Sequence, residues 1–346
     1  MDRSEVVMDV GQRQQESSDL VLMALFARMD TVAMAIAAGV TLGLGLVAAT
    51  AVLLVSGAPP GVPIGSNLSV LGNILPGYSV TWVGCLAGAA WVGVIGAAAG
   101  FIIATVWNFG HFVVLGAIAL FYQRPNSIVS GRPGGTGTRS VTRLRADRHL
   151  LSVATRLNVG ISAIVLGLGL GLLLFLATHI SVAVADRPGR YLNLAGVFMP
   201  GYSASSRGAW LGLLWGALYG GLLGGAITAL YERSLGASLP EFVIWDEASV
   251  HRLRPPVLRL SSHAFGFALG TIAGLQLMLA TWWLVARGTA DESFHAKLLS
   301  HYLPGYTVDL QGSLIGAPEL FFLVYLFSVF AGEIYNCFAK LRRGGK

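Results

Sequence analysis

The chain has 346 residues, of which 54% are hydrophobic, 12% are charged and 45 are glycine, with 23 Lys and Arg against 17 Asp and Glu for a net charge of +6. A soluble domain carries about twice that share of charge, so long uncharged runs rich in glycine point to a helical membrane protein. The runs lack period-two alternation, which argues against a β-barrel. The basic stretch Arg139–Arg148 adjoins Gly-rich linker without interleaved aromatics, which argues against nucleic acid as a partner.

In chain order, residues 1–30 form a cytoplasmic segment, and its stretch Leu20–Met29 has the helical spacing of an interfacial helix. Six apolar runs follow, each long enough to cross the hydrocarbon: Thr31–Ser56, Val83–Trp107, Val159–Ile180, Gly208–Tyr231, Ala264–Val285 and Ser313–Phe338. The first lacks a short h-region with a small-residue cleavage site and reads as an uncleaved anchor. Cys85 and Cys337 fall near opposite membrane faces, so they cannot form a disulfide.

Each odd span is joined to the next by the same tripeptide: Pro76-Gly77-Tyr78, Pro200-Gly201-Tyr202 and Pro304-Gly305-Tyr306. Copies one and two align without a gap at an offset of 124, which places Gly43 on Gly167, Gly72 on Gly196 and Trp91 on Trp215. Copy three aligns at 228, with one inserted residue bringing Gly270 onto Gly43. Self-similarity of this kind is the mark of a duplicated supersecondary unit. The expected fold is all-α: a polytopic membrane protein of six transmembrane helices from three tandem two-helix repeats, each with an outward-facing amphipathic helix and a Pro-Gly-Tyr turn. The repeats are placed at 31–108, 153–232 and 259–346. They are separated by a cytoplasmic apolar segment and Gly/Arg-rich linker at 109–152 and a cytoplasmic loop at 233–258.

The amphipathic helices are read from Leu68, Leu71 and Leu75, from Leu192, Ala195 and Met199, and from Ala296, Leu299 and Leu303. Proline ends each one, glycine supplies a positive φ, and the tyrosine ring suits headgroup depth. A weaker reading makes the three tyrosines a ring of ligand-binding hydroxyls. Thr81, Ser205 and Asp309 stand where each following helix needs an N-cap. That helix carries a ladder of glycines: Gly84, Gly88, Gly96 and Gly100; Gly208, Gly212, Gly216, Gly220 and Gly224; Gly312 and Gly316. Small residues four apart let helices approach closely, so the ladders are expected to pack between repeats or against a partner subunit.

Unit three places Pro318-Glu319 where the others have Ala90-Trp91 and Leu214-Trp215. A carboxylate at that depth costs about 2–3 kcal/mol if it faces lipid. Glu319 is therefore the candidate intramembrane polar site, read either as an ion, proton or salt-bridge site or as a group reaching interfacial water. Glu333 is expected to pair with Lys340 or Arg342. Phe112–Tyr122 is too short to span and is either an extension of the second helix or an interfacial helix; Ser130–Thr138 reads as a flexible linker and Leu239–Leu253 as interfacial. His111 and His179 lie near opposite faces, so they make no haem pair.

Of the 23 Lys and Arg, 18 fall on the side of the termini. By the positive-inside rule both termini are cytoplasmic, in a bacterial-type inner membrane, and the Pro-Gly-Tyr connections face outward. No nucleophile–base set, P-loop or dinucleotide fingerprint is present, so no enzyme activity, cofactor or metal is expected. The layout of three two-span units with termini on one side is similar to that of mitochondrial carriers. Their Pro-x-Asp/Glu-x-x-Lys/Arg motif is absent from the odd spans, and no carrier residue transfers. Two functions remain: an accessory subunit contacting the lipid bilayer and other membrane subunits or a second copy, and a channel or carrier for a small neutral solute or ion.

Overall fold

The computed structural model describes residues 28–57, 65–73, 75–122, 139–184, 192–235, 243–244, 257–290 and 293–343. Most of the N-terminal stretch 20–29, the linker 130–138 and most of 239–253 lie outside the described residues. Six long helices dominate: α1 (Thr31–Ser56), α2 (Trp82–Tyr122), α3 (Arg139–Val184), α4 (Ser206–Leu235), α5 (Ser262–Ala286) and α6 (Leu310–Arg342). All six contain a stretch long and apolar enough to cross a membrane. Hydrocarbon offers the backbone no hydrogen-bond partner, so runs of this composition must satisfy every N–H and C=O internally, as a helix does. The chain is a multi-pass membrane protein.

Two helices exceed the bilayer by the widest margin. The 41 residues of α2 and the 46 of α3 rise roughly 60 and 70 Å at about 1.5 Å per residue, against about 30 Å of hydrocarbon. Phe112–Tyr122 is the continuation of α2 and Arg139–Arg148 the opening of α3. The sequence boundaries at 108/109 and 152/153 thus fall inside continuous helices. Two compact units divide the chain, with boundaries at Thr105/Val106 and Glu232/Arg233. The α3–α4 pair belongs to one, and α1, most of the apolar span of α2, and the α5–α6 pair belong to the other.

Within each pair the helices approach through small residues. A methyl on Gly39 would meet the Gly93 carbonyl at 2.7 Å and one on Gly96 the Ala38 carbonyl at 2.9 Å; Gly100 meets Met34 O at 2.6 Å. Gly167 faces Ala217 O at 2.8 Å, Gly171 faces Leu213 O at 2.7 Å, and Gly216, Gly220 and Gly224 lie against the α3 backbone. The glycine faces are therefore occupied inside each pair, where they admit the partner backbone, and they are not left for another subunit. In the α5–α6 pair the ladder changes helix. Gly266, Gly270 and Gly274 of α5 receive Tyr325, Phe321 and Ala317 of α6.

These contacts also correct the register of the odd helices. Gly43 faces Ala89, Gly171 faces Leu213 and Gly274 faces Ala317. Gly43 therefore stands in the place of Gly171 and Gly274; the alignment on Gly167 and Gly270 is one helical turn out. Period-four glycines make a one-turn slip nearly invisible in sequence, whereas packing resolves it.

At the end of the molecule away from the turns, α1, α5 and α6 are tied together. Asp30 caps α1 by accepting from Val32 N and Ala33 N. The Tyr335 hydroxyl donates to Leu258 O at 2.9 Å and accepts from Asp30 N at 3.1 Å. Asn336 bonds both backbone groups of Leu260, at 2.9 and 2.7 Å. Arg342 pairs with Asp30 at 2.5 Å, and neither it nor Lys340 pairs with Glu333, since nine and seven residues along one helix are about 14 and 10 Å of rise. A two-residue antiparallel ladder, β1 (Val243–Ile244) with β2 (Val257–Leu258), lies in the same unit. Ala33, Ala37, Val257, Leu260, Tyr335 and Ala339 form the core there.

Candidate functional site

The Pro-Gly-Tyr segments are built alike. Tyr78 N donates to Leu75 O at 3.1 Å, Tyr202 N to Met199 O at 3.0 Å and Tyr306 N to Leu303 O at 3.1 Å. The glycines have φ of 79°, 78° and 86° at Gly77, Gly201 and Gly305. An i→i+3 bond with proline second and a positive-φ glycine third is the pattern of a type II turn. Pro76, Pro200 and Pro304 are exposed.

The tyrosines are not. Tyr78, Tyr202 and Tyr306 are 5%, 6% and 2% exposed. Each ring lies on a glycine of the following helix: a methyl on Gly212 would sit 2.9 Å from Tyr202, one on Gly316 2.6 Å from Tyr306, and one on Gly88 would overlap Tyr78. Gly84, Gly208 and Gly312 are as tightly set against Ser79, Ser203 and Thr307. The first two glycines of every ladder thus seat the turn, and only the later ones, in the first two pairs, serve helix packing.

Each tyrosine hydroxyl meets a threonine on the preceding helix: Tyr78 with Thr50 at 3.2 Å, Tyr202 with Thr178 at 2.7 Å and Tyr306 with Thr281 at 2.9 Å. Each threonine hydroxyl also donates one turn back, to Leu46 O, Leu174 O and Leu277 O. A hydroxyl has one proton, so the threonine oxygen must accept and the tyrosine must donate. The rings are enclosed and their protons are committed, which corrects the weaker reading of the three tyrosines as a ring of ligand-binding hydroxyls.

The threonines escaped the sequence reading because the alignment placed Thr50 on Leu174 instead of Thr178. Thr50 precedes its tyrosine by 28 residues, against 24 and 25 for Thr178 and Thr281. A signal was present: a threonine in each odd span, four residues after a leucine.

The helix starts are closed by side chains. Gly84 N, Gly208 N and Gly312 N donate to Thr81, Ser205 and Asp309 at 3.0, 3.0 and 2.6 Å. Cap hydroxyls and the Asp309 carboxylate are further bonded to Ser79, Ser203 and Thr307. The Gly312 N–H and the Thr307 hydroxyl hold the Asp309 carboxyl below its usual range. Burial pushes the Tyr302 hydroxyl up to about 12, with Tyr78 adding to the shift; burial likewise raises Tyr78 despite its bond to Thr50.

Glu319 is placed differently. It is partly buried on α6, and its Oε2 is enclosed without a hydrogen-bond partner. Pro318, inside the helix, has no N–H, so the Leu314 carbonyl loses its helical donor. On the same helix stripe Ile315, Phe322, Leu326 and Phe330 are all exposed. Trp215, which Glu319 replaces by position, instead donates its indole N–H to Pro200 O at 3.0 Å. His263 and Tyr325, which sequence reasoning did not single out, are hydrogen-bonded at 2.8 Å.

Among the described residues no group of three or more His, Cys, Asp or Glu is arranged to hold a metal ion. Cys85 is buried, with its thiol on Trp82 O, and Cys337 is exposed. No protein-family model, curated protein or solved structure matches the chain, so its chemistry is read from its own residues.

Proposed function

We propose that the chain is a non-catalytic integral membrane protein of three tandem two-helix repeats, serving as a structural or accessory subunit of a larger membrane complex. In this reading both termini are cytoplasmic, the Pro-Gly-Tyr turns face outward, and the membrane is a bacterial-type inner membrane. The observation that carries it is where the polar groups go. The tyrosine and threonine hydroxyls and the cap side chains are spent on closing the helix pairs, and what remains outward is bulky and apolar. Val83, Leu86, Leu214, Leu222, Leu326 and Phe322 are among the exposed large side chains. Because the glycine ladders are used within each pair, partner contact falls to these bulky faces. Purification of the tagged protein from native membranes in mild detergent, followed by native gel and mass spectrometry, tests the reading. Stoichiometric companions in a large band support it; a lone chain or simple homo-oligomer sinks it.

A second reading, a channel or carrier for a small solute or ion, is favoured by one observation: the unpartnered Glu319 oxygen within a span. Flux into liposomes reconstituted with the purified chain tests it, with solute-independent leak as the negative result.

A further inference from the structure

We propose that Glu319 is the point at which a transmembrane helix of a different subunit, carrying a Lys or Arg in its span, docks on α6; this rests on the accessory-subunit reading. The site begins with an unsatisfied group. Glu319 Oε2 is enclosed in the protein with no hydrogen-bond partner, and beside it Pro318 deprives the Leu314 carbonyl of its helical donor. Glu319 is nine residues past the start of α6, about 14 Å of rise.

The surface around it is open. Of the six spans α6 is the least buried, and Ile315, Phe322, Leu326 and Phe330 continue the stripe through Glu319 at spacings of three and four. Glu333, exposed three residues past Phe330, ends the stripe; between Ile315 and Phe330 its one acid is Glu319, which makes it complementary to an apolar helix carrying a base. Lipid tails supply no donor. A second copy supplies no suitable cation: the spans of α1, α2, α3 and α5 contain no Lys or Arg, and in α4 and α6 these residues (Arg207, Arg233, Lys340, Arg342) stand at the ends. Two copies meeting at this stripe would oppose carboxylates. The complement is thus a different polypeptide. A buried carboxylate with a Lys or Arg partner gains a charge-assisted bond that neither side replaces from lipid.

The test places a photo-crosslinking amino acid at Phe322 in the full chain in native membranes. The expected result is a cross-link to another protein, mapped by mass spectrometry to a span with Lys or Arg within about one turn of the linked residue. Glu319→Asp, which keeps the charge, retains the yield within about threefold, while Glu319→Gln lowers it about thirtyfold or more. Should Glu319→Gln not accumulate, neutralising the mapped Lys or Arg of the companion asks the same question with this chain untouched. A companion that co-purifies but cross-links with unchanged yield in Glu319→Gln overturns the inference and leaves the accessory-subunit reading standing; that result would fit a neutral acid in the span. A cross-link to a second copy, or to a span without a base, overturns it likewise. Absence of any companion on the native gel overturns both.

Discussion

Tyr306 and Tyr335 belong to the same helix pair and are both almost fully buried, at 2% and 0% exposed, yet they hold different things. At the turn end Tyr306 donates to Thr281, a side chain 25 residues away on the neighbouring helix. At the far end Tyr335 joins two backbone segments, accepting from Asp30 N across 305 residues and donating to Leu258 O across 77. The turn end is a local clasp that occurs three times with the same residue types. The far end is a knot between backbone segments distant in the chain; by the repeat offsets Tyr335 falls on Trp107 and Tyr231, and Asn336 on Asn108 and Glu232. A clasp between side chains leaves its helices intact when it opens; a knot on backbone groups exposes those groups when it is cut.

The largest effect should follow from filling a seat under a tyrosine ring. Gly316→Leu would drive atoms into Tyr306, whose ring already lies 2.6 Å from a methyl at that position. It should cost about 3 kcal/mol or more, read as failure to accumulate or as a much lower melting temperature in detergent. Survival with unchanged stability would mean that the ring is free to leave. Tyr335→Phe comes next. It strands the Asp30 N–H and removes the donor to Leu258 O, a loss of about 2–3 kcal/mol. Tyr306→Phe removes only a donor to an oxygen that still bonds Leu277 O, a loss of about 1 kcal/mol. Denaturant melts of the two variants rank the clasp against the knot, and equal losses would erase the distinction.

Acid sharpens the comparison among the turn ends themselves. Asp309 is the charged cap, and its carboxyl is held below the usual range by Gly312 N and Thr307. A carboxyl with a depressed folded-state pKa contributes stability above its unfolded value and loses it as pH falls through the folded one. Lowering pH should therefore reduce amide protection at Gly312 relative to Gly84 and Gly208, whose caps Thr81 and Ser205 do not titrate. Equal loss at all three would assign the effect elsewhere. The smallest effect is at the far-end ion pair. Arg342 is 47% exposed, so Arg342→Ala should cost no more than about 1 kcal/mol, and less at high salt.

How much could be read beforehand follows the same division. The six spans were legible because lipid leaves an uncharged apolar run one way to satisfy its backbone. The caps were legible because Thr81, Ser205 and Asp309 precede their helices at fixed spacing. The threonine of each clasp was not legible, since its distance from tyrosine varies with the connection length while the bond does not. Nor was the direction of the glycine ladders. A helix face of small residues announces close approach but does not name the neighbour, and in the third pair Gly266, Gly270 and Gly274 sit on α5, with Gly332 on α6.

By itself, then, the sequence determined the elements, their membrane character and the presence of Glu319 within a span, because these depend on hydropathy, helix period and local hydrogen bonding. Tertiary structure alone decided that the tyrosines face inward and that the ladders close within pairs. It also decided that Tyr335 and Asn336 secure the far end and that Glu319 Oε2 is enclosed without a partner. Each of those is settled by which distant backbone or side chain arrives, and residue spacing along one chain carries no information about arrivals across hundreds of residues.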